Sequence, residues 1–559
     1  MNLSIRMRGL AAIAALATLT ACGGSDDPAP VVVADPTPQA TLIARYAFGV
    51  GEGFSEIVAY HAASQSAFIT VDNAAVPSAF QRISLRGMAG AALAQANTAS
   101  NLESGTRTSI ANDVNDAGFT AGGVQALAIS GDLLAIAVQA VPKTANGVVA
   151  FYRLDSQGNA SYLRKVTVGS LPDGLAFSAD GRKLVVANEG EIDGNEDFVL
   201  AADRSNDPLG TISIVNIDNS QPADVAVTLD FTAFDDGAAR AAERPAEVRI
   251  GLAGNVFSRD AEPEYVSISD DSSTAYVTLQ ENNAVAAVDL SSGRIDRVLA
   301  LGVKDHGLAA NALAPSDRVD ANAPFELKTY ANVLGLYMPD GIASFSINGT
   351  PYFITANEGD DRDDFLATSE TARVSNLSLD PAAFPDATSL QANTELGRLT
   401  VISTLGRNGS GQYEKLYALG GRSFSIYNAT TGVQVFDSGS QIEQRAYATV
   451  PTALLSASQV IGRLDNKGPE PESVVVGQIG TRTYAFVGLE RTSAILMFDV
   501  SDPSSPQFVQ WLQNTTDLAD GDISPEGLAW VPASQSPTGR ALLLAGHEVS
   551  GTLAVWEIQ

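Results

Sequence analysis

The sequence predicts an all-β fold: a single β-propeller of seven or eight blades with long inter-strand insertions. Three observations lead there. An acidic residue opens a short apolar run and a second acid closes the next, and this pairing recurs along most of the 559 residues. The acid-to-acid spacing is 16 to 22 residues, the length of two short strands and a turn. A third apolar run ending in an acid usually follows, as at 211–218, 284–289, 494–499 and 552–557. Three or four strands in a repeat of roughly 40 to 80 residues is the pattern of propeller blades.

Taken from the N-terminus, the first segment reads as targeting rather than fold. Arg6 and Arg8 precede an apolar stretch, Leu10 to Leu19, that is too short to span a bilayer. Leu19-Thr20-Ala21-Cys22 then resembles the bacterial lipobox, whose cysteine is lipidated and becomes the mature N-terminus. Cys22 is the sole cysteine, so it has no disulfide partner within the chain. The alternative is an ordinary signal peptide with a chance cysteine. Residues 1–21 are thus expected to be a lipoprotein signal peptide, and 22–40 the lipidated Cys22 with a flexible tether. Residues 41–559 would be the propeller domain. Gly23 after the cysteine, rather than aspartate, implies by the same resemblance an outer-membrane lipoprotein, facing either the periplasm or the cell surface. The body carries no further run of about 18 apolar residues, so contact with the membrane is expected through the lipid alone.

Eight candidate units begin near 55, 122, 170, 262, 338, 412, 469 and 524. The units at 122 and 412 lack the leading acid, and the latter is compatible with being shared with its neighbour, which leaves seven and eight both open. Two separate β-sandwiches would explain the alternating strands but not the matched acids. Elsewhere the pairs are Asp173/Glu189, Glu264/Glu281, Asp340/Glu358, Glu472/Glu490 and Glu526/Glu548, with a degenerate Glu56/Asp72. The first acid begins the outgoing strand and the second ends the returning one, so both fall at one end of the hairpin. Around a ring this makes one acidic face: Asp173, Glu264, Asp340, Glu470, Glu472, Glu490, Glu526 and Glu548, joined by Glu189 and Glu358.

A formal charge of −30 argues against nucleic acid and against direct docking on anionic lipid, and suits cations or basic ligands. The densest acidic segment, Glu358, Asp360, Asp361, Asp363 and Asp364 around Arg362, offers oxygen ligands to a hard cation such as calcium. The competing account is a solvated loop paired internally with Arg362. Glu189, Glu191 and Asp193 form a second candidate metal segment, set against an exposed turn. Arg422, Lys467 and Arg491 stand as compensating charges or as binders of an anion. Three histidines, His61, His306 and His547, have no metal-ligand spacing, and no Gly-x-Ser-x-Gly elbow occurs. No organic cofactor is evident.

Ala356–Asp364, Gly420–Tyr427, Asp465–Ser473, Tyr484–Arg491 and Ile523–Leu528 with Ala545–Thr552 resemble the signatures of the choice-of-anchor I family. That family is similar to mesenchyme-specific cell-surface glycoproteins, and some members carry an alkaline phosphatase label. The resemblance implies a surface protein held by one of several kinds of anchor. The expected function is therefore a lipid-anchored, non-catalytic envelope propeller whose acidic face binds calcium, a polysaccharide or a protein. The alternative is a calcium-dependent phosphoesterase, in which carboxylates hold cations and Lys467, Arg422 or Arg491 steadies the phosphate.

Overall fold

Short runs of aliphatic and β-branched residues, broken by turn formers, pair with their sequence neighbours, so strand pairing among the described residues is almost entirely antiparallel. The computed structural model describes residues 37–559, apart from 49–52, 54, 74–77, 94–99, 104, 320–323, 456–459 and 518. Cys22, the signal segment and the tether up to residue 36 lie outside the described residues. The longest helix among the described residues, Gln441–Thr449, has nine residues.

Among the described residues, seven sheets repeat one plan, in which the hairpin of a leading pair of strands is extended outward by a third and a fourth. Their leading strands are Val58–His61, Ala121–Ser130, Pro172–Phe177, Pro263–Ile268, Ile342–Ile347, Pro471–Ile479 and Pro525–Val531. In the seventh sheet the outer strand comes from the other end of the chain. Ala40–Ala47 pairs antiparallel with Thr552–Ile558, and Gln39 and Gln559 exchange both backbone hydrogen bonds at 2.9 Å.

The second and third strands read as unbroken apolar runs because both faces of each sheet are buried. On Lys183–Asn188, Leu184 and Val186 enter the core against the second sheet, while Val185 and Ala187 enter the core against the fourth. Each such Leu or Val side chain contributes about 1.5–3 kcal/mol by leaving water. The remaining interfaces join the first sheet to the second, the fourth to the fifth, the fifth to the sixth and the sixth to the seventh. The seventh then packs on the first through Leu542, Leu544, Ala67 and Ile69.

An eighth, mixed sheet of Val303–Asp305, Val333–Leu336, Leu416–Ala418, Thr400–Ile402 and Thr371–Arg373 is built from insertions around the fifth sheet. Of the two alternatives for the candidate unit near 412, a separate sheet and one shared with its neighbour, the strands follow the second. Leu416–Ala418 joins the inserted sheet, whereas Ser423–Asn428 and Gln434–Asp437 complete the fifth sheet begun by Ile342–Ile347. Apolar alternation alone does not distinguish a strand that continues a sheet after an insertion from one that starts a new sheet.

The hairpin register puts the paired acids at one end. Pro172 faces Asn188, Pro471 faces Leu489 and Pro525 faces His547, and an acid directly follows each of these six residues. Pro263 faces Leu279, with Gln280 intervening before Glu281. Two residues before the first acid the backbone turns left-handed, at Leu171 (φ 46°), Met338 (φ 45°), Glu470 (φ 52°) and Ser524 (φ 59°). Their carbonyls accept the N–H groups of Glu189, Gly359, Glu490 and Glu548 at 2.9–3.0 Å. That bond offsets a conformation costing on the order of 1–2 kcal/mol for a non-glycine residue.

Candidate functional site

Glycine after the first acid lets neighbouring sheets meet. A Cβ on Gly174 would sit 2.4 Å from the Glu264 carbonyl oxygen, one on Gly341 2.4 Å from that of Glu472, and one on Gly527 2.4 Å from that of Glu56. Backbone therefore touches backbone where the acids begin, and the carboxylates are forced together.

The result is a polar cavity of about 350 Å³. The first acids Asp173, Glu264, Asp340, Glu472 and Glu526 line it together with the second acids Glu189, Glu358 and Glu490. The second sheet, which has no leading acid, contributes Gln125. Glu548 and Glu56 lie close enough to Glu526 to repel its negative charge. A second chamber of about 760 Å³ adjoins it, with Glu189, Glu264, Asp360, Lys467 and Arg491 lining both.

Among the described residues, two sets of three carboxylates in or beside this cavity place one oxygen each within 4.8 Å of the others: Asp340/Glu358/Glu472 and Glu358/Glu470/Glu490. In the second set Glu470 already has its countercharges, and Arg491 Nη1 also meets Glu490 Oε1 at 2.8 Å. Glu470 is fully buried, with Arg463 Nε at 2.6 Å, Arg491 Nε at 2.9 Å and Lys467 Nζ at 3.9 Å. Burial pushes its pKa up, but Lys467, Arg463 and Arg491 outweigh that and hold it below the ordinary range. Lys467 also bonds Glu358 at 3.0 Å and Asp360 at 3.1 Å.

No basic side chain is paired with Asp340 or Glu472 among the described residues. Desolvation, then the charge of Glu358, lifts Asp340 well above the ordinary carboxylate range. Desolvation, then Glu490 and Glu526, does the same to Glu472, whose Oε2 has no hydrogen-bond partner among the described residues. Burial and neighbouring acids push Glu490 to about 9 and Glu56 to about 8, and burial alone pushes Asp173 to about 7. Such clustering of acids is costly unless protons or a cation compensate.

The two candidate metal segments come apart in three dimensions. Of Glu358, Asp360, Asp361 and Asp363, only Glu358 joins a close set. Asp360 faces Lys467 at the rim, and Asp361 accepts the Asp363 N–H at 3.0 Å. Asp363 folds its own loop, accepting from Glu370 N, Ser369 Oγ and Thr371 Oγ1, each at 2.6 Å. Arg362 is not their internal partner. It is buried and turns away, with Nε 3.0 Å from Glu262 Oε1 and Nη2 2.9 Å from Glu262 Oε2. In the other segment Glu189 lines the cavity, Glu191 is tied to Lys143, and Asp193 lines neither chamber.

Arg422 is a second correction. It is buried away from the cavity, and its guanidinium donates to Glu443 Oε1 and to the carbonyls of Ala314, Leu464 and Asn466. That leaves it a structural tie rather than a binder of anions. Lys467 and Arg491 do line the cavity. Glu262 precedes Pro263-Glu264 as Glu470 precedes Pro471-Glu472, a repeat that sequence reasoning passed over, while Arg463 occupies no repeated position; Glu281 was legible as the closing acid of the fourth hairpin.

Residues 56–503 match the choice-of-anchor I domain. The chain belongs to the choice-of-anchor I family. The match includes the acids from Glu56 to Glu490 and ends before Glu526 and Glu548. Over 191 residues this family member is 29% identical to Gigasin-3a of Magallana gigas, covering 31% of this chain and 67% of that protein. Over 341 residues it is 27% identical to a mesenchyme-specific cell surface glycoprotein of Strongylocentrotus purpuratus, covering 54% of this chain. That alignment spans 41% of the glycoprotein's own length. Among solved structures, one of Kuenenia stuttgartiensis hydrazine synthase overlaps 90% of this chain and 96% of its own at a TM-score of 0.42 and 11% identity.

Proposed function

We propose that this choice-of-anchor I protein is a seven-bladed β-propeller at the cell envelope that binds calcium through carboxylates at its axis, without catalysis. The cyclic order of sheet interfaces and the joining of the two chain ends in one sheet support the propeller. The relative named as a cell surface glycoprotein supports the location, and the Leu19–Cys22 motif supports an outer-membrane lipid anchor at Cys22.

The observation that carries the ligand is the Asp340/Glu358/Glu472 set. Its oxygens lie within 4.8 Å of one another, and calcium, with Ca–O distances of about 2.3–2.6 Å, can bridge oxygens that far apart. No basic side chain pairs with Asp340 or Glu472 among the described residues, so bound calcium would supply the missing positive charge. Binding is the favoured role because the histidines lie elsewhere. His61 pairs with Ser64 and Asp132, His306 bonds the Asn311 carbonyl, and none of the three lines the cavity.

Equilibrium dialysis of chelator-treated protein against calcium tests this. The parent should take up calcium at pH 8, and Asp340→Asn combined with Glu472→Gln should weaken uptake at the Asp340/Glu358/Glu472 position at least tenfold. A parent that takes up none would refute the reading. Lys467 and Arg491 beside the carboxylates also suit a phosphate, which keeps a calcium-dependent phosphoesterase as a second reading. Calcium-dependent, chelator-sensitive hydrolysis of a chromogenic phosphomonoester would establish that reading and displace the non-catalytic one.

A further inference from the structure

Glu470 carries two arginines that the Asp340/Glu358/Glu472 position does not use. It is fully buried, with Arg463 Nε 2.6 Å from Oε1 and Arg491 Nε 2.9 Å from Oε2, so the two guanidinium groups flank one carboxylate. Arg463 is 27% and Arg491 26% exposed, and both line the larger chamber. Arg491 Nη1 also meets Glu490. Among the described residues neither Nη of Arg463 has a partner, and Nη2 of Arg491 has none. A guanidinium tied down at Nε with Nη donors open is oriented for a second anion.

The rest of the chamber selects among anions. Glu189, Glu264 and Glu281 also line it, and an ionised carboxylate can only accept hydrogen bonds. A phosphate dianion would feel roughly twice the repulsion from these acids that a carboxylate feels. A ligand with one negative charge and several hydroxyl groups meets both kinds of lining. Its carboxylate matches the planar guanidinium fork, and its hydroxyls are donors to the acids. At about 760 Å³ the chamber has the size of a ligand site.

We propose that the larger chamber binds a carboxylated sugar, a uronate unit of an acidic polysaccharide, through the Nη groups of Arg463 and Arg491. Lys467, engaged by Glu358 and Asp360, adds positive charge beside the arginines without being the anchor. Repulsion from a chain of net charge −30 is screened beyond about 8 Å at physiological ionic strength, whereas the arginines act in contact. The proposal goes beyond the calcium reading and does not depend on it, because Glu470 rather than a bound cation fixes both arginines.

The test is isothermal titration calorimetry at pH 7 in chelator, which keeps the outcome separate from calcium. The probes are trigalacturonate, the neutral trisaccharide maltotriose and inorganic phosphate. The parent should bind trigalacturonate with roughly tenfold or more higher affinity than either of the others. Arg463→Lys keeps the charge but loses the fork; it should weaken trigalacturonate roughly tenfold or more and leave calcium uptake as in the parent. If circular dichroism shows that Arg463→Lys does not fold, Arg491→Lys carries the same expectation. No binding of trigalacturonate, or equal binding of maltotriose, overturns the proposal. Phosphate binding as tightly as trigalacturonate overturns the sugar class in favour of the phosphoesterase reading. Unchanged affinity in the folded variant overturns the role of the arginines. So does a joint loss of trigalacturonate and calcium, which would mark the arginine as a support for Glu470 alone.

Discussion

Raising the pH of calcium-free protein from 7 to 9.5 should destabilise it, by an amount that follows from two side chains. Glu490 is pushed from 4.5 to about 9 by burial and by Glu470 and Glu358, and Glu56 from 4.5 to about 8 by burial and Glu548. When the folded pKa of a carboxyl is raised, the folded state holds a proton that the unfolded state has released. Stability from that proton is complete below the unfolded value and is lost as pH rises through the folded one.

Between pH 7 and 9 the loss from Glu490 alone is about two pH units at 1.36 kcal/mol each, or about 3 kcal/mol. Glu56 adds to this between 7 and 8, though less than additively, because the acids titrate together. Starting at pH 7 avoids His306, whose pKa burial lowers to about 3 and whose effect runs the other way below 6.5. Unfolding entropy of about 2.1 cal/mol/K per residue makes 3 kcal/mol worth roughly 3 °C in a chain of this size. Differential scanning calorimetry in chelator should show that fall in Tm, and calcium at Asp340, Glu358 and Glu472 should reduce it by offsetting the charge that Glu358 imposes on Glu490. A Tm that is flat or rising from pH 7 to 9.5 in chelator would refute the account of an uncompensated acidic cavity.

Other outcomes follow from the same geometry. Lys467→Met removes the ammonium between Glu358, Asp360 and Glu470; calcium-free protein should lose roughly 3–5 kcal/mol in urea unfolding, while calcium affinity rises about tenfold. Gly527→Ala would drive a Cβ to 2.4 Å from the Glu56 carbonyl oxygen and should cost about 1–3 kcal/mol in the same assay. Gly409→Ala, with nothing within 4 Å of the added carbon, should be neutral there. Cys22→Ser should release the protein from the membrane fraction, and detergent-dependent fractionation of that variant would refute lipidation.

Local pattern was enough for much of the fold. Apolar runs spaced by turn formers specify hairpins, because strand pairing between neighbours needs only alternation and a turn. The positions of Asp173/Glu189 or Glu472/Glu490 at a common hairpin end follow from spacing alone, since register is set by turn length. The count of repeated sheets was not legible, because the long insertion between Asn357 and Ser423 hides that these residues pair in one sheet.

The candidate site divides along the same line. Sequence determined which residues carry charge and that the paired acids gather at hairpin ends. It did not determine which charges meet. Arg362 lies among five carboxylates in the chain yet pairs with Glu262, one hundred residues away, and Arg422 is spent on Glu443 and three carbonyls. Lys467 is drawn instead into the place between Glu358 and Glu470. Spacing along a strand is a local property, transmitted by backbone geometry residue by residue. Which cation reaches which carboxylate depends on how sheets distant in sequence pack and on where the inserted segments return, and only the tertiary structure decides that.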